Sequence, residues 1–524
     1  MARIRAYNKL RFNQGEKPIF DFINDLVART FILPDNFFKG IVAAGYEREA
    51  VISFRQKLLR ITLDYDLSPA VMMAMAGSSR SLRVRLPQSW RQDLSAQGLQ
   101  ISKLSSFLWF IVVLGKLKDA IDFYRLTKNF KNLPKEKNGY ALLLGLPTCA
   151  YCGLSINDDQ KQYNNFANWF HARHPELCLH IVNGKEQVGG LKSHAKYREN
   201  MWPSLIGNKP YKEFRYKAGL IILKSLLSLL KGNWIHAFMA RDLLELEYIQ
   251  KVDESSLPEL VALTNSHYIF RPLWSYYLEQ KGVETGIYFY STNTFNIALN
   301  SGEYGLIYGY KTMSWSHYYT ATPEQANFID SVTMYPRQIS VVGPIPLEDN
   351  GAQLPEKRAP VLAYFDVQPF RDAFMSAIGR PVPLYYYEAS RRNLEDVILA
   401  CKKHGFTLAL KPKRDVGNRL CPKYKKMIDF LVETGEIILI ESHIAAERVA
   451  DWADVVVSQP FTSVAVVAHN LGKPSVYYDA MQMYKKIQPA AQGLSLLQSY
   501  EQLSSWLEDD ATGRIALSFK RQEG

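Results

Sequence analysis

Cysteine is scarce in this 524-residue chain: Cys149, Cys152, Cys178, Cys401 and Cys421 are too few and too scattered for a disulfide framework, which fits a reducing compartment. Cys149 and Cys152 make one CxxC pair, and with no second pair nearby they read as buried or incidental thiols instead of a zinc site. The longest apolar run, residues 107–115, is about half of the ~20 residues that a bilayer span needs, so it reads as a core helix or strand. The start, Met1-Ala2-Arg3-Ile4-Arg5, is polar and basic and leads into no signal-type apolar region, so the chain is expected to stay in the cytoplasm or on the inner face of its membrane. No glycine-rich GxGxxG turn follows a first strand; neither Leu144-Gly145-Leu146-Pro147 nor Val342-Gly343-Pro344 supplies one, which removes an NAD-dependent oxidoreductase. Helix-turn-helix, zinc-finger and RNP-type motifs are missing too, and nucleic acid is therefore not expected as a partner.

What is present is an ordinary globular composition, 47% hydrophobic and 22% charged, with length for two or three domains. The net charge of +12 draws the chain toward anionic surfaces, and because the cations are spread along it, a membrane surface or simple solubility explains them better than an arm for nucleic acid. Residues 214–231 alternate leucines with Lys217, Lys224 and Lys231. That pattern suits an interfacial helix on anionic lipid, and a buried helix with an edge lysine accounts for it equally well.

The texture changes along the chain. Residues 1–138 mix helix-like stretches, 18–30 and 116–130 among them, with basic loops and carry no chemical motif. From Gly139 the pattern turns α/β, with the runs Ala141-Leu142-Leu143-Leu144-Gly145 and Leu177-Cys178-Leu179-His180-Ile181-Val182 reading as buried parallel strands around a helical stretch at 159–174. Residues 346–360 form a polar, proline-bounded linker, so the expected division is 1–138 helical, 139–345 Rossmann-like, 346–360 linker, 361–495 Rossmann-like and 496–524 helix and tail.

The densest signal lies near the end. The β-branched run Val455-Val456-Val457 ends in Ser458-Gln459-Pro460; Phe461-Thr462-Ser463 then opens a short apolar helix, Gly472 stands where a C-cap belongs, and Pro474 precedes another strand. Thr462 and Ser463 sit at a helix N-terminus, where unpaired amides and the helix dipole favour a phosphate. Other strands deliver polar groups to what should be the same sheet edge: Asp366 and Gln368 after 361–365, Lys411, Lys413 and Arg414 after 407–410, Glu441 and His443 after 437–440. Three cations can neutralise a diphosphate, Glu441 can hold ribose hydroxyls, and His443 can contact phosphate or cap the next helix. Asp479 is a ligand contact or a cap, and Gln459 joins the nucleotide-binding set.

Pro460-Phe461-Thr462-Ser463 followed by Gly472-Lys473-Pro474-Ser475-Val476-Tyr477-Tyr478-Asp479 resembles the signature of bacterial polysaccharide-biosynthesis PFTS-motif proteins. More distantly it is similar to Kdo transferases and bacterial sialyltransferases that use CMP-activated sugars. The order Trp274, Gly282, Tyr290, Asn293 and the run Met313-Ser314-Trp315-Ser316-His317-Tyr318 are similar to the acceptor domain of such proteins, although core packing explains both tryptophans. The resemblance implies a GT-B fold, two Rossmann-like domains facing across a cleft with the nucleotide on the second. It implies Asp366 as nucleophile or base, with a valine inserted in Asp366-Val367-Gln368, and Lys411-Pro412 in place of a His-Pro nucleotide element. His317, polar and beside a strand terminus expected to face the cleft, is the second catalytic candidate. The expected activity is metal-independent, cofactor-free transfer of Kdo or another CMP-activated acidic sugar to a lipid-linked glycan of O-antigen or capsule. The alternative is a non-catalytic scaffold of polysaccharide assembly at the membrane surface.

Overall fold

The computed structural model describes residues 45–63, 103–130, 139–145, 166–182, 195–198, 200–203, 207–231, 234–264, 270–289, 291–292, 294–301, 310, 312–333, 335–343, 353–357, 359–370, 385–413, 416–417, 420–442 and 444–511. Expectations placed on residues 18–30, Cys149, Cys152, Tyr290, Asn293, Arg414 and His443 fall outside them.

Among these residues the first sheet has seven strands, β1 Tyr140–Leu144, β2 Cys178–Val182, β3 Ala195–Arg198, β4 Leu260–Thr264, β5 Glu284–Tyr288, β6 His317–Thr320 and β7 Gln338–Val341, in the order β3-β2-β1-β4-β5-β6-β7. The second has six, β8 Val361–Asp366, β9 Thr407–Pro412, β10 Ile438–Leu439, β11 Val455–Ser458, β12 Ser475–Tyr478 and β13 Leu496–Leu497, in the order β10-β9-β8-β11-β12-β13. Every strand pair is parallel. In each sheet the chain fills one side outward from its first strand and then returns to fill the other, which leaves a switch point beside β1 and another beside β8. Two doubly wound α/β domains are the GT-B architecture.

Among the described residues of the first half there are seven helices: α1 Glu47–Leu63, α2 Lys103–Leu126, α3 Phe166–Arg173, α4 Asn208–Leu230, α5 Ile235–Ile249, α6 Leu273–Gln280 and α7 Pro323–Val332. Strand alternation sorts the core. Leu142, Leu144, Val261 and Leu263 turn to α2, α5 and α6, while Leu143, Leu179, Ile181 and Ala262 turn to Trp169 and Phe170 of α3. Helix α5 is buried on nearly every side, as its run of apolar residues requires. The expectation of a separate helical region before Gly139 meets a different outcome for its described part. Ala50 and Phe54 of α1 and Val113, Leu117 and Phe123 of α2 share one core with the first sheet, because α5 needs cover that the sheet alone cannot give. Trp274 and Trp315 are in that core as well, in line with packing.

The second half adds α8 Tyr387–His404, α9 Pro422–Glu433, α10 Ala446–Trp452, α11 Ser463–Asn470 and α12 Tyr500–Trp506. Leu362, Tyr364, Leu410 and Val457 face α8, α9 and α12; Val361, Ala363, Phe365 and Val456 face α10 and α11. The expected boundary at 495 is corrected, since Leu496–Leu497 pair with Tyr477 and Tyr478 as the sixth strand of the sheet. A two-residue strand is too short to show a period in sequence.

The carboxyl edges of the two sheets meet. The chain following β5 lays Phe295 into a core with Phe461, Tyr477 and Tyr484 of the second domain, and Leu299 bridges to Tyr484. Gln488 accepts from the Ala298 amide at 2.8 Å, and Gln492 Nε2 donates to Thr292 O at 2.9 Å.

Candidate active site

All six strands of the second sheet run the same way, so their last residues line one edge, with β8 and β11 adjacent at the switch point. Gln459 joins them. Its backbone amide donates to Phe365 O at 3.0 Å, its side-chain oxygen accepts from the Val367 amide at 3.2 Å, and its Nε2 donates to Ser390 Oγ at 3.1 Å. It is buried and consumed by these bonds, so its contribution is to set the turn after β8.

That turn holds Asp366, the expected catalytic carboxylate. Asp366 is 1% exposed and takes a hydrogen bond from the Tyr424 hydroxyl on α9. Burial raises its pKa, against the pull of Tyr424, the Gln368 and Val367 amides and Ser390. Tyr424 ties one carboxylate oxygen, Oδ2, and the other, Oδ1, is buried with no hydrogen-bond partner. Asp479 behaves alike: it is buried, accepts from the Tyr484 amide at 3.1 Å and Gln498 Nε2 at 3.3 Å, and its pKa is raised chiefly by burial. It anchors the loop that carries Tyr484 against the first domain.

Gln368, two residues beyond Asp366, has φ 57°, in the left-handed region that a residue with Cβ enters only when its surroundings force it. Its side chain is buried, and Oε1 has no hydrogen-bond partner. An unmet buried carbonyl costs about 1–3 kcal/mol, which a ligand donor would offset.

On the adjacent strand end, Phe461 has φ 60°. Its ring packs 5.4 Å from both Tyr477 and Tyr484, centroid to centroid, in the core shared with Phe295. The twist turns α11 so that its amino terminus opens on the seam: Ser463 Oγ lies 2.6 Å from Ser291 Oγ, and Gln325 Nε2 holds Ser291 O at 2.9 Å. The Thr462 hydroxyl donates back to Gln459 O at 3.1 Å, so of the expected pair Ser463 is the one on the seam. The far end closes as expected, with Gly472 at φ 76°, its amide on His469 O and the Lys473 amide on Ala468 O, a Schellman motif.

The cations divide. Lys411 is buried and donates from Nζ to Pro412 O and Ser442 O, both at 3.0 Å, and burial lowers its pKa to about 8. It braces the turn after β10, with two of its three protons committed. Lys413 and Glu441 are exposed at the same edge. Among the described residues no three His, Cys, Asp or Glu side chains gather as a metal site would require.

His317 is not part of this assembly. It is the first residue of β6, at the amino edge, about 10 Å along the strand from the edge where the domains meet. Its ring stacks on Tyr319, with Nε2 2.9 Å from Ser340 Oγ and Nδ1 3.4 Å from Glu284, whose pKa it helps hold down at about 2. The expectation that His317 faces the cleft is corrected: it begins β6 instead of ending it, so it stands at the edge away from the seam.

The profile of the family described as "Polysaccharide biosynthesis PFTS motif protein" matches residues 221–507, more than half of the chain. The chain belongs to that family. No curated protein matches it in sequence. Among solved structures, an E. coli trehalose-6-phosphate structure bound with UDP-2-fluoro glucose is 11% identical with a TM-score of 0.37, covering 72% of this chain and 92% of the other. A Thermobaculum terrenum O-GlcNAc transferase variant is 12% identical with a TM-score of 0.34, over 95% and 88%. The Methanocaldococcus jannaschii UDP-GlcNAc 2-epimerase in complex with UDP-GlcNAc and UDP is 12% identical with a TM-score of 0.29, over 52% and 74%. Likeness this faint assigns no reaction, and the architecture stands on the strand order itself.

In this PFTS-motif protein the named residues have separate tasks: phenylalanine plugs the seam, threonine ties the turn, and serine meets the other domain. Ser291, Ser390 and Tyr424 were not singled out from sequence. Ser291 ends an apolar strand run, a signal that was available; Ser390 and Tyr424 lie inside helices and acquire meaning only through Gln459 and Asp366.

Proposed function

We propose that this PFTS-motif protein is a glycosyltransferase of bacterial surface polysaccharide, O-antigen or capsule. The nucleotide-sugar donor rests on the carboxyl edge of the second sheet, and a lipid-linked glycan acceptor is presented by the first domain. The observation that carries this reading is the seam: α11 opens where Ser463 meets Ser291, and the next strand end bears the buried, unpartnered Gln368 carbonyl. Helix-terminal amides favour a phosphate, and a glutamine carbonyl accepts from a ligand N–H or O–H. The donor is a CMP-linked acidic sugar such as Kdo, on the strength of the motif resemblance. In this scheme Lys413 and the helix terminus neutralise the leaving phosphate, no divalent ion is required, and the Asp366 carboxylate is the nucleophile or base.

A thermal-shift screen with CMP, UDP, GDP and dTDP tests the reading, because a nucleotide that binds the folded chain stabilises it by mass action. CMP is expected to raise the melting temperature, and Gln368→Ala to abolish the rise. A rise with another nucleotide instead replaces the donor class; no rise with any of the four sinks the transferase reading. The enclosure of Asp366 favours one competitor, the non-catalytic scaffold. Nucleotide binding without sugar transfer to a lipid-linked acceptor would select it.

A further inference from the structure

Helix α4 has two apolar faces. Phe214, Ala218, Ser225 and Leu229 are buried on the side that packs against α5. On the opposite side Tyr216, Leu220, Leu223, Leu227 and Leu230 recur at spacings of four and three, the period of a helical stripe, and all are exposed, Tyr216 at 71% and Leu230 at 84%. An aqueous helix ordinarily places polar residues there. The stripe runs about 21 Å at 1.5 Å per residue, and Lys224 and Lys231 flank it at a heptad interval. Lys209 and Lys212 stand at its amino end. The nearby acids are engaged elsewhere, Glu213 with Lys251 at 3.2 Å and Glu247 with Lys217 at 3.1 Å, so the face is net positive.

We infer that this face of α4 is a docking surface for an anionic lipid bilayer, with the helix lying in the plane of the interface. Leucines and a tyrosine enter the boundary between headgroups and acyl chains while the lysines stay at headgroup level. Spanning is excluded for this helix, since among the described residues none is long and apolar enough to cross a membrane. Self-association through the stripe is disfavoured by sign, because a two-fold contact would set the lysine rows of two copies against each other. The inference is independent of the transfer reaction: vesicle binding and nucleotide binding are read separately, and either can fail while the other holds.

Flotation of the full chain with vesicles of phosphatidylcholine, alone or with phosphatidylglycerol, tests it. Binding is expected with the anionic vesicles and is expected to fade with salt. The double variant L223E/L227E should lose it, with the nucleotide-free melting temperature unchanged because both side chains are exposed. K224A/K231A, which keeps every leucine, should weaken binding by about 25-fold, at about fivefold for each cation near the surface. Equal binding to neutral vesicles, retention by the leucine variant, or a dimer that L223E/L227E dissolves with no vesicle binding would each overturn the assignment.

Discussion

Removing the ring of Phe461 probes both the strain and the seam. The side chain is buried between Tyr477, Tyr484 and Phe295, and truncating a buried phenylalanine to alanine costs about 3–5 kcal/mol in lost transfer and cavity energy. Alanine keeps a Cβ at φ 60°, so Phe461→Ala retains the left-handed penalty of about 1–2 kcal/mol. Glycine removes that penalty and adds unfolded-state freedom worth about 0.5–1 kcal/mol. Phe461→Gly should therefore be as stable as Phe461→Ala or more stable by up to about 1.5 kcal/mol, whereas at an ordinary backbone position it would be the less stable of the two. Urea unfolding followed by tryptophan fluorescence and by circular dichroism gives both values. It also shows whether one transition becomes two once the shared core is breached. A cost below about 1 kcal/mol for the alanine variant, or glycine worse by the ordinary margin, would refute the strained plug.

Three further outcomes concern the second domain and its seam. Asp366 and Asp479 have raised pKa values from burial, so the stability each contributes is present below the usual aspartate value of about 3.9 and is lost as pH rises through the elevated folded value. Asp366→Asn should flatten part of that decline in melting temperature against pH, and an unchanged profile would show that the group is not enclosed. A double-mutant cycle on Ser291→Ala and Ser463→Ala should return a coupling of about 0.5–1.5 kcal/mol, and zero coupling would place the two hydroxyls apart in solution. Gly472→Ala forces a Cβ into φ 76° at the end of α11 and should cost about 1–2 kcal/mol, measured by chemical denaturation; a neutral result would contradict the Schellman geometry.

Much of the architecture was legible in order. The buried run Ala141 to Leu144, the run at Val455 and the closing Gly472 are local signals, because strand burial and helix capping depend on neighbours within a few residues. The carboxyl edge was legible as well, since Asp366, Lys411 and Gln459 each end an apolar run and parallel strands must end together. Their roles were not. A polar residue at a strand end faces either the crevice or the body of the domain, and the residues that decide it are distant: Tyr424 for Asp366, Ser442 for Lys411, Gln498 for Asp479.

By itself the sequence determined two α/β halves, a helix that opens at Thr462-Ser463 and an excess of positive charge, all of which are local pattern or composition. Tertiary structure alone decided that α1 and α2 complete the first core, that His317 stands at the amino edge, and that Phe461 and Ser463 bind one domain to the other. The physical reason is range. Periodicity and capping act over a few residues, whereas burial, hydrogen-bond satisfaction and backbone strain are settled by whatever the fold brings alongside.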